Sequence, residues 1–481
     1  MKKELKFIGA ALAVCVAMIS CENDDQDLMP EFADLKSANN GMIKFYENAV
    51  VVKWNEALSL AINNKMPPAT EARIYVIVTL AVHDALNNVV PKFETYALDN
   101  STVNAKDIPI ENIPPVDVND ISKKKIHPVN AKDISKKNIH SIANAAVAQA
   151  AHDAMVALVP ASAANAGALL TSCLAEIEES DLKSRGIQIG KDAAIAVLAA
   201  RQSDPPLGFQ SYQQGTLPGE YRSTMPYTLA NPPIWPEHAV YAPNLGTFRP
   251  FGIETGDQFR VIPPFDVSSP EYAADFNEVK ILGGNTSTER TQEESDLAVF
   301  FLPNISNFMN HIARTLAVQE QLDGWETARL LALTHITQFD AHLSAFDAIY
   351  HYNRWRPVTA IRMADSDGND LTTADPAWNN LQAARATPPT PSYPSAHAEM
   401  GGAGAELFKL YFKKDFKQFT LESFYLPGAE RSYTSFSHLS SDISISRIYT
   451  GFQFRNDVVQ AEKMGRELAR YVFRNNLRVL R

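Results

Sequence analysis

Cysteine and basic charge are both scarce in this sequence of 481 residues. Of its three cysteines, Cys15 and Cys21 lie near the N-terminus, so Cys173 has no partner in the body of the chain and an intramolecular disulfide is excluded. The formal net charge is −11. Such an acidic chain repels nucleic acid, so any anion that binds it needs a local basic pocket. With 45% hydrophobic and 21% charged residues, the composition is that of a globular protein.

The first twenty residues have the pattern of a signal peptide. Lysines flank an apolar run from Phe7 to Ile19 that is too short to span a bilayer and is followed at once by polar residues. The run ends in Met-Ile-Ser before Cys21, which resembles a lipobox, and the acidic residues 22–25 resemble a surface-export signal of some Gram-negative lipoproteins. We therefore predict an exported outer-membrane lipoprotein, exposed at the cell surface and attached to the membrane through Cys21. An ordinary secretory signal is the alternative.

A short tandem repeat interrupts the N-terminal half. Residues 122–127 recur with little change at 135–140. The repeat is too short and too polar for a solenoid, so we predict an inserted surface loop over residues 101–140. His127 and His140 are then loop residues rather than ligands.

Elsewhere the apolar residues recur mainly at helical spacing, which predicts an all-α protein. Asp323 with Glu326 is typical of a capping box that opens a long helix, and Pro357 marks where that helix ends or kinks. A proline-dense stretch separates two helical units. The predicted units are a lipid-anchored linker over 21–44, an N-terminal helical unit over 45–202, an extended connection over 203–270 and a C-terminal helical domain over 271–475.

Three short segments of the C-terminal half combine arginine, serine and histidine. They are His-Tyr-Asn-Arg-Trp-Arg-Pro at 351–357, Pro-Ser-Ala-His at 394–397 and Ser-Arg-Ile-Tyr-Thr-Gly-Phe-Gln at 446–453. In this order they resemble the signature of the vanadium-dependent haloperoxidase and PAP2 (phosphatidic acid phosphatase type 2) acid phosphatase superfamily. Residues 257–280 and 355–362 further resemble its bacterial haloperoxidase-like branch. The resemblance covers roughly residues 45–475 and implies helical bundles of that type.

The resemblance also implies roles for individual residues. Arg356 and Arg447 match the two arginines that clamp a tetrahedral oxyanion, for which a planar guanidinium is well suited. Ser395 matches a serine that donates to an anion oxygen, and the backbone N–H of Ala396 stands beside it at the start of a predicted helix. His397 matches the acid–base histidine.

Two positions depart from the family pattern. Ile349 stands where the family has a lysine, two helical turns before Arg356, so one anion oxygen loses its cation. Gln453 stands where the family has the histidine that binds vanadium or attacks phosphorus, and an amide has no basic nitrogen for either task. We therefore expect phosphate as the bound anion, vanadate as a less favoured cofactor, and no metal held directly by protein ligands.

Other polar residues could compensate or form a different site. Arg354, Arg455 and His438 are candidates for replacing the missing cation or histidine, although an exposed arginine and a hydrogen-bonded helix residue are the simpler interpretations. A metal site is a further alternative, but its members lack the spacing of a compact ligand pair, and buried helix histidines usually bond their neighbours. Its members would be His335, Asp340, His342 and His351. His83 and His152 are interpreted as packing positions.

Two functions remain open at this point. One is an enzyme of the superfamily, a phosphoesterase or haloperoxidase weakened by Ile349 and Gln453, for which His397 argues. The other is a non-catalytic lipoprotein that binds phosphate or a phosphorylated small molecule, for which Gln453 argues. Substrate and halide preference are not determined by the sequence, and a homodimer stays open as an assembly.

Overall fold

The computed structural model describes residues 46–62, 65–103, 131–224, 238–382 and 387–480, with the side chains of 131–137 excepted. Within these residues the chain is helical with two small antiparallel sheets, which confirms the predicted all-α class. The N-terminal helices are α1 (Ala49–Ile62), α2 (Pro68–Asn87), α3 (Ala131–Leu158), α4 (Ala163–Ala175) and α5 (Asp181–Ala200). The C-terminal helices are α6 (Pro270–Leu282), α7 (Gln292–Phe300), α8 (Ile305–Gln319), α9 (Gly324–Tyr352), α10 (Pro357–Arg362), α11 (Ala396–Phe412), α12 (Phe436–Tyr449) and α13 (Arg455–Asn475).

Helix α9 is the central element of the fold. Nearly all of its residues as far as Ile349 are buried, as expected for a helix that is covered on every side. It packs against α2 from the N-terminal half and against α8, α11 and α13 from the C-terminal half, and their apolar side chains form one continuous hydrophobic cluster. The predicted division between the two helical units stays a prediction.

The boundaries of α9 follow from its sequence. The Asp323 side chain accepts from the Glu326 N–H and the Glu326 side chain accepts in return, so the predicted capping box is present. The helix ends at Tyr352, where Asn353 adopts a left-handed conformation with φ 49°. Pro357 then occupies the first position of α10, where its missing N–H costs nothing.

Two hydrogen bonds fix how α11 lies on α9. The Tyr411 hydroxyl donates to the Glu326 carbonyl at 2.8 Å, and the Gln338 side chain donates to the Met400 carbonyl at 2.9 Å. The later residue of α9 is bonded to the earlier residue of α11, so the two helices are antiparallel. One turn beyond Gln338, the next residues of α9 lie beside the N-terminal end of α11.

The predicted loop over 101–140 differs from the structure at its end. Helix α3 begins at Ala131, so the second copy of the repeat is helical rather than part of a loop. His140 lies in this helix and packs edge-on against Tyr46, with ring centroids 5.3 Å apart, which corrects its interpretation as a loop residue. The alanine-rich stretch after the repeat is a strong helix former. The helix that it forms continues in the N-terminal direction through the second copy of the repeat. His127 lies outside the described residues.

The described part of the connection over 203–270 carries one short antiparallel pair, β1 (Phe209–Ser211) with β2 (Ala239–Tyr241). It is tied to α9 by Asp340, whose carboxylate accepts from the backbone N–H groups of Phe251, Gly252 and Ile253. The connection thereby covers one side of the central helix.

Sequence periodicity missed a hairpin in the C-terminal domain. Strand β3 (Phe416–Glu422) pairs with β4 (Glu430–Ser435) immediately before α12.

Among the described residues, no helix is both long and apolar enough to cross a membrane.

Candidate functional site

The three sequence motifs meet where helix ends and loops converge. Arg356 immediately precedes α10, Ser395 caps the N-terminus of α11, Arg447 lies in the last turn of α12, and Gln453 lies in the turn between α12 and α13. Helices α11, α12 and α13 pack on one another, which brings these termini together. We refer to Arg356, Ser395, Ala396, His397, Arg447 and Gln453 as the candidate site.

Arg356 is 3% exposed and is held by neighbouring backbone. Its Nε donates to the Thr390 carbonyl at 2.8 Å, Nη2 to the Thr390 hydroxyl at 2.7 Å and Nη1 to the Phe452 carbonyl at 3.1 Å. These bonds occupy three of its five N–H groups and leave one on each terminal nitrogen. Burial lowers the pKa of Arg356 to about 10, so the side chain is a fixed cation at neutral pH.

Arg447 is the less satisfied of the two arginines. It is 2% exposed, and its Nη1 is buried without any hydrogen-bond partner. Its Nε reaches the Gln453 side-chain oxygen only at 3.5 Å, which is a weak contact. Burial lowers the pKa of Arg447 to about 9, and the positive charge of Arg356 lowers it as well. The protein thus keeps a charged N–H donor in its interior without an acceptor.

Gln453 is fully engaged by its neighbours. Its Oε1 accepts from the Ser395 hydroxyl at 2.7 Å, while its Nε2 donates to the Ser392 carbonyl at 3.2 Å. Since a carbonyl can only accept, the NH₂ group must face Ser392, and the amide oxygen therefore faces Ser395 and Arg447. The Gln453 oxygen thus accepts from the Ser395 hydroxyl and, weakly, from the Arg447 Nε, which are donors that an anion would otherwise use.

Asp457 ties the second motif to the third. Its carboxylate accepts from the Ser392 hydroxyl and from the Phe454 N–H, and its backbone carbonyl accepts from the Ser395 N–H at 3.0 Å. Burial raises the pKa of Asp457 to about 6. The hydrogen bonds from Ser392 and Phe454 oppose that rise, and so do the nearby positive charges of Arg354 and Arg356. At neutral pH the single carboxylate of Asp457 therefore lies near two guanidinium groups, those of Arg354 and Arg356.

His397 lies in the first turn of α11, and both it and Ala396 are partly exposed while the rest of the candidate site is buried. Its Nε2 is buried without a hydrogen-bond partner. Burial lowers its pKa well below the usual value, helped by Arg447 and His342, while the carbonyls of Pro303 and Leu302 oppose the shift.

Ile349 contributes only apolar surface. It is 1% exposed and belongs to the main hydrophobic cluster, so the position that holds lysine in the family carries no charge here. His342, seven residues earlier on the same face of α9, was missed as a site residue. It is 4% exposed, its Nδ1 has no hydrogen-bond partner, and its ring lies 4.7 Å from that of Phe346. The same-face spacing from Ile349 was the signal that could have identified it.

The side chains suggested as compensating groups do not join the candidate site. Arg354 is buried rather than exposed, because it donates to the Phe265 carbonyl at 2.9 Å and lies over the Tyr272 ring. Arg455 forms an ion pair with Glu278, and the exposed His438 lies near Asp442 instead.

The four residues of the alternative metal site are likewise dispersed. His335 bonds the Asn310 side chain at 2.7 Å and stacks on Tyr75, while Asp340 binds backbone N–H groups. His335 bonds a neighbour through its Nε2 as expected, but its Nδ1, like the Nδ1 of His342, is buried without a hydrogen-bond partner. Within the described residues, no cluster of His, Cys, Asp and Glu is arranged to hold a metal ion.

The chain is similar in sequence and in fold to known proteins. A family model described as the VCPO second helical-bundle domain matches residues 329–481. The chain is 27% identical over 274 residues to the vanadium chloroperoxidase of Curvularia inaequalis. That match covers 48% of this chain and 44% of the relative, so the chain spans less than half of that curated protein's length.

Solved structures resemble the chain over almost its whole length. A bacterial vanadium-dependent iodoperoxidase matches with a TM-score of 0.66 and 20% identity, covering 90% of this chain and 97% of that chain. The holo-type bacterial vanadium-dependent chloroperoxidase matches with a TM-score of 0.62 and 16% identity, covering 86% and 94%. At such identities the likeness shows the fold.

Proposed function

We propose that the chain is a member of the vanadium haloperoxidase/PAP2 superfamily, as the family-model match and the related chloroperoxidase support, and that its candidate site binds a phosphate-type oxyanion, free or as part of a phosphorylated small molecule. The observation that carries the proposal is the unpartnered, buried Nη1 of Arg447 beside the unpartnered Nε2 of His397. A buried charged donor without an acceptor is costly unless a ligand supplies one.

The charges around the site support an anionic ligand. The positive charge of Arg356 lies close enough to Arg447 to lower the pKa of Arg447, so the two guanidinium groups repel each other. Asp457 is a single carboxylate whose Oδ2 already accepts from the Ser392 hydroxyl and the Phe454 N–H. An oxyanion placed between the two guanidinium groups would relieve the repulsion and accept charge-assisted hydrogen bonds.

The residues fit the charge of vanadate but not its coordination. Bound vanadate would supply the peroxidase chemistry that the related proteins are named for, and Arg356 and Arg447 could hold its oxygens. The position from which the family's histidine coordinates the metal is occupied by the Gln453 amide, whose nitrogen is not basic and donates to Ser392. Phosphate is therefore the favoured anion, ahead of vanadate.

A weak phosphoesterase is the second candidate function. Its support is His397, whose unpartnered Nε2 could remove a proton from an attacking water or, once protonated, give one to a leaving oxygen. With Gln453 at the position of the nucleophile, attack on phosphorus would have to come from water directly. Turnover should then be slow even where binding is tight.

The test is a titration of the full chain with inorganic phosphate and with orthovanadate, followed by calorimetry and by the melting temperature. We expect saturable binding that stabilises the protein, and a drop in affinity of roughly ten- to hundredfold in Arg447→Ala. Unchanged binding in that variant would exclude the candidate site. Phosphomonoester and halide-plus-peroxide assays, with and without vanadate, then separate a binding protein from an enzyme.

We also propose that the chain is exported and lipid-anchored, on the basis of the lipobox-like residues before Cys21. Residues 1–45 lie outside the described structure. Labelling with a radioactive fatty acid should mark the parent and spare Cys21→Ser, and the parent should partition with outer membranes. Equal labelling of both chains would contradict the assignment.

A further inference from the structure

The side-chain oxygen of Gln453 lies where two donors of the candidate site converge. The Ser395 hydroxyl donates to it at 2.7 Å, and the Nε of Arg447 reaches it at 3.5 Å. All three side chains are buried in residues that are at most 4% exposed. An uncharged amide oxygen thus occupies a position between a hydroxyl and a guanidinium, which is where an oxygen of a bound anion would accept its hydrogen bonds.

Hydrogen bonds behind the amide hold it in this orientation. The Nε2 of Gln453 donates to the Ser392 carbonyl at 3.2 Å, and a carbonyl has no proton to give in return. The backbone N–H of Ser392 donates to the Arg354 carbonyl at 2.8 Å, and its hydroxyl donates to the Asp457 carboxylate. Because a reversed amide would set its oxygen against the Ser392 carbonyl, the oxygen stays directed toward Ser395.

The Ser395 hydroxyl has a single proton, and Gln453 accepts it. The hydroxyl oxygen accepts from the Ala398 N–H at 3.3 Å as the cap of α11, which leaves its proton for another acceptor. The backbone N–H of Ser395 donates to the Asp457 carbonyl at 3.0 Å and fixes the residue in place. A ligand oxygen can therefore receive this proton only if the Gln453 oxygen gives it up.

An oxyanion is a better acceptor for these donors than the amide is. Charge-assisted hydrogen bonds are roughly twice as strong as neutral ones. An amide dipole also does not neutralise the positive charge of Arg447, whose Nη1 is buried without a partner. An anion therefore gains more from Ser395 and Arg447 than Gln453 does, but it has to displace the amide oxygen in order to reach them.

We propose that Gln453 is an internal ligand of the candidate site, whose side-chain oxygen occupies an anion-oxygen position in the free protein and is displaced when phosphate binds. The inference rests on the proposed function and specifies what limits the affinity of the same site. Gln453 stabilises the free protein by accepting from donors that are otherwise left open. It weakens anion binding by the same contacts.

Calorimetric titration of the full chain and its Gln453 variants with inorganic phosphate tests the inference. Gln453→Met removes the oxygen with little change of volume and should bind phosphate about tenfold more tightly than the parent, the size of one hydrogen bond that no longer has to be broken. Gln453→Glu places a charged oxygen at the same position and should bind phosphate at least about tenfold more weakly. Gln338→Met is the matched control, because Gln338 is a buried glutamine that also donates to a backbone carbonyl but lies outside the candidate site, and it should keep the parent's affinity.

Two further readouts distinguish competition from a merely structural role. In a Ser395→Ala background, the gain from Gln453→Met should shrink to about twofold or less, because the proton that the amide accepted is no longer there. Gln453→Met should also melt earlier than the parent without phosphate and show a larger rise in melting temperature with it. A merely structural glutamine would lower the melting temperature in both conditions and leave the rise unchanged.

The outcomes separate the internal ligand from the proposed function. If phosphate binds neither the parent nor any variant, the proposed function itself fails. If the parent binds phosphate and Gln453→Met binds it equally or more weakly, the proposed function stands and the internal ligand is refuted. Should Gln453→Met not fold, Gln453→Asn takes its place, because the shorter amide cannot reach Ser395 and should likewise bind phosphate more tightly than the parent.

Discussion

Replacing Arg447 by methionine should make the protein more stable while removing its response to phosphate. The guanidinium is 2% exposed, one of its nitrogens has no partner, and Arg356 repels it. Methionine follows the same path as the arginine stem without carrying a charge. The variant therefore separates the requirement for anion binding from the requirement for folding.

The magnitude follows from the lowered pKa. Burial lowers the pKa of Arg447 from 12.5 to about 9, so keeping the group charged at neutral pH costs on the order of 5 kcal/mol. The weak contact to Gln453 at 3.5 Å and the packing of the arginine stem offset part of this cost. We expect a net gain of about 1–4 kcal/mol in the free energy of unfolding, which is the range seen when buried ionic groups are replaced by apolar ones.

Melting curves of the parent and Arg447→Met, each with and without phosphate, provide the assay. The variant should melt a few degrees higher than the parent without phosphate and show no phosphate-dependent shift. Arg455→Met is the control, because Arg455 pairs with Glu278 outside the site, and it should keep the shift. A full phosphate shift in Arg447→Met would refute the binding role, and a large loss of stability would refute the argument from uncompensated charge.

Three further variants or conditions probe the same region. Restoring the family residues in Ile349→Lys with Gln453→His should raise vanadate affinity or activity above the parent and above either single variant, while lowering stability without anion, because the added ammonium would enter an apolar environment. Phosphate affinity should fall by up to about tenfold per pH unit above pH 9, since the anion requires protonated Arg447 and the free group loses its proton there. Gly451→Ala should cost at least about 2 kcal/mol in denaturant unfolding, because its φ is +73° and an added Cβ would lie 2.5 Å from the Gly283 carbonyl oxygen.

Each of these expectations can fail in a defined way. Strong vanadate-dependent activity in the parent would show that Gln453 is tolerated. A flat phosphate affinity from pH 8 to pH 10, in a chain that circular dichroism shows to be folded, would mean that Arg447 stays charged or is not needed. Unfolding of Gly451→Ala within about 0.5 kcal/mol of the parent would show that the turn after α12 can relax.

The sequence identified the residues whose chemistry is local to a motif, and the structure added those that act across the fold. Arg356 and Arg447 were identifiable because each lies in a recognisable short segment. Thr390 and Asp457 were not, because they hold Arg356 and Ser392 across 34 and 65 residues of sequence, where no local pattern predicts contact. Side chains that position others leave a weaker signal than side chains that bind.

Two misses have different physical causes. The hairpin was readable in principle, since residues 416–422 alternate between exposed and buried positions, but the buried Lys417, which pairs with Glu320, conceals the period of two. His342 was judged by a general rule for buried helix histidines, although the same-face argument that was applied to Ile349 also covered His342. The periodicity of α9 contained this information, but only the fold showed which side of the helix faces the site.

The two departures from the family and the unpartnered histidine have a common electrostatic consequence. An isoleucine in place of lysine removes one fixed charge, and a glutamine in place of histidine removes a group that could become charged. His342 adds an imidazole that burial keeps neutral. Within the described residues of the candidate site, the positive charge that faces a ligand comes from Arg356 and Arg447, and Asp457 lies near Arg356. Two guanidinium groups balance a dianion, and a more highly charged oxyanion would need to keep a proton in order to enter. A site that bound a trivalent oxyanion more tightly than a dianion would contradict this charge balance.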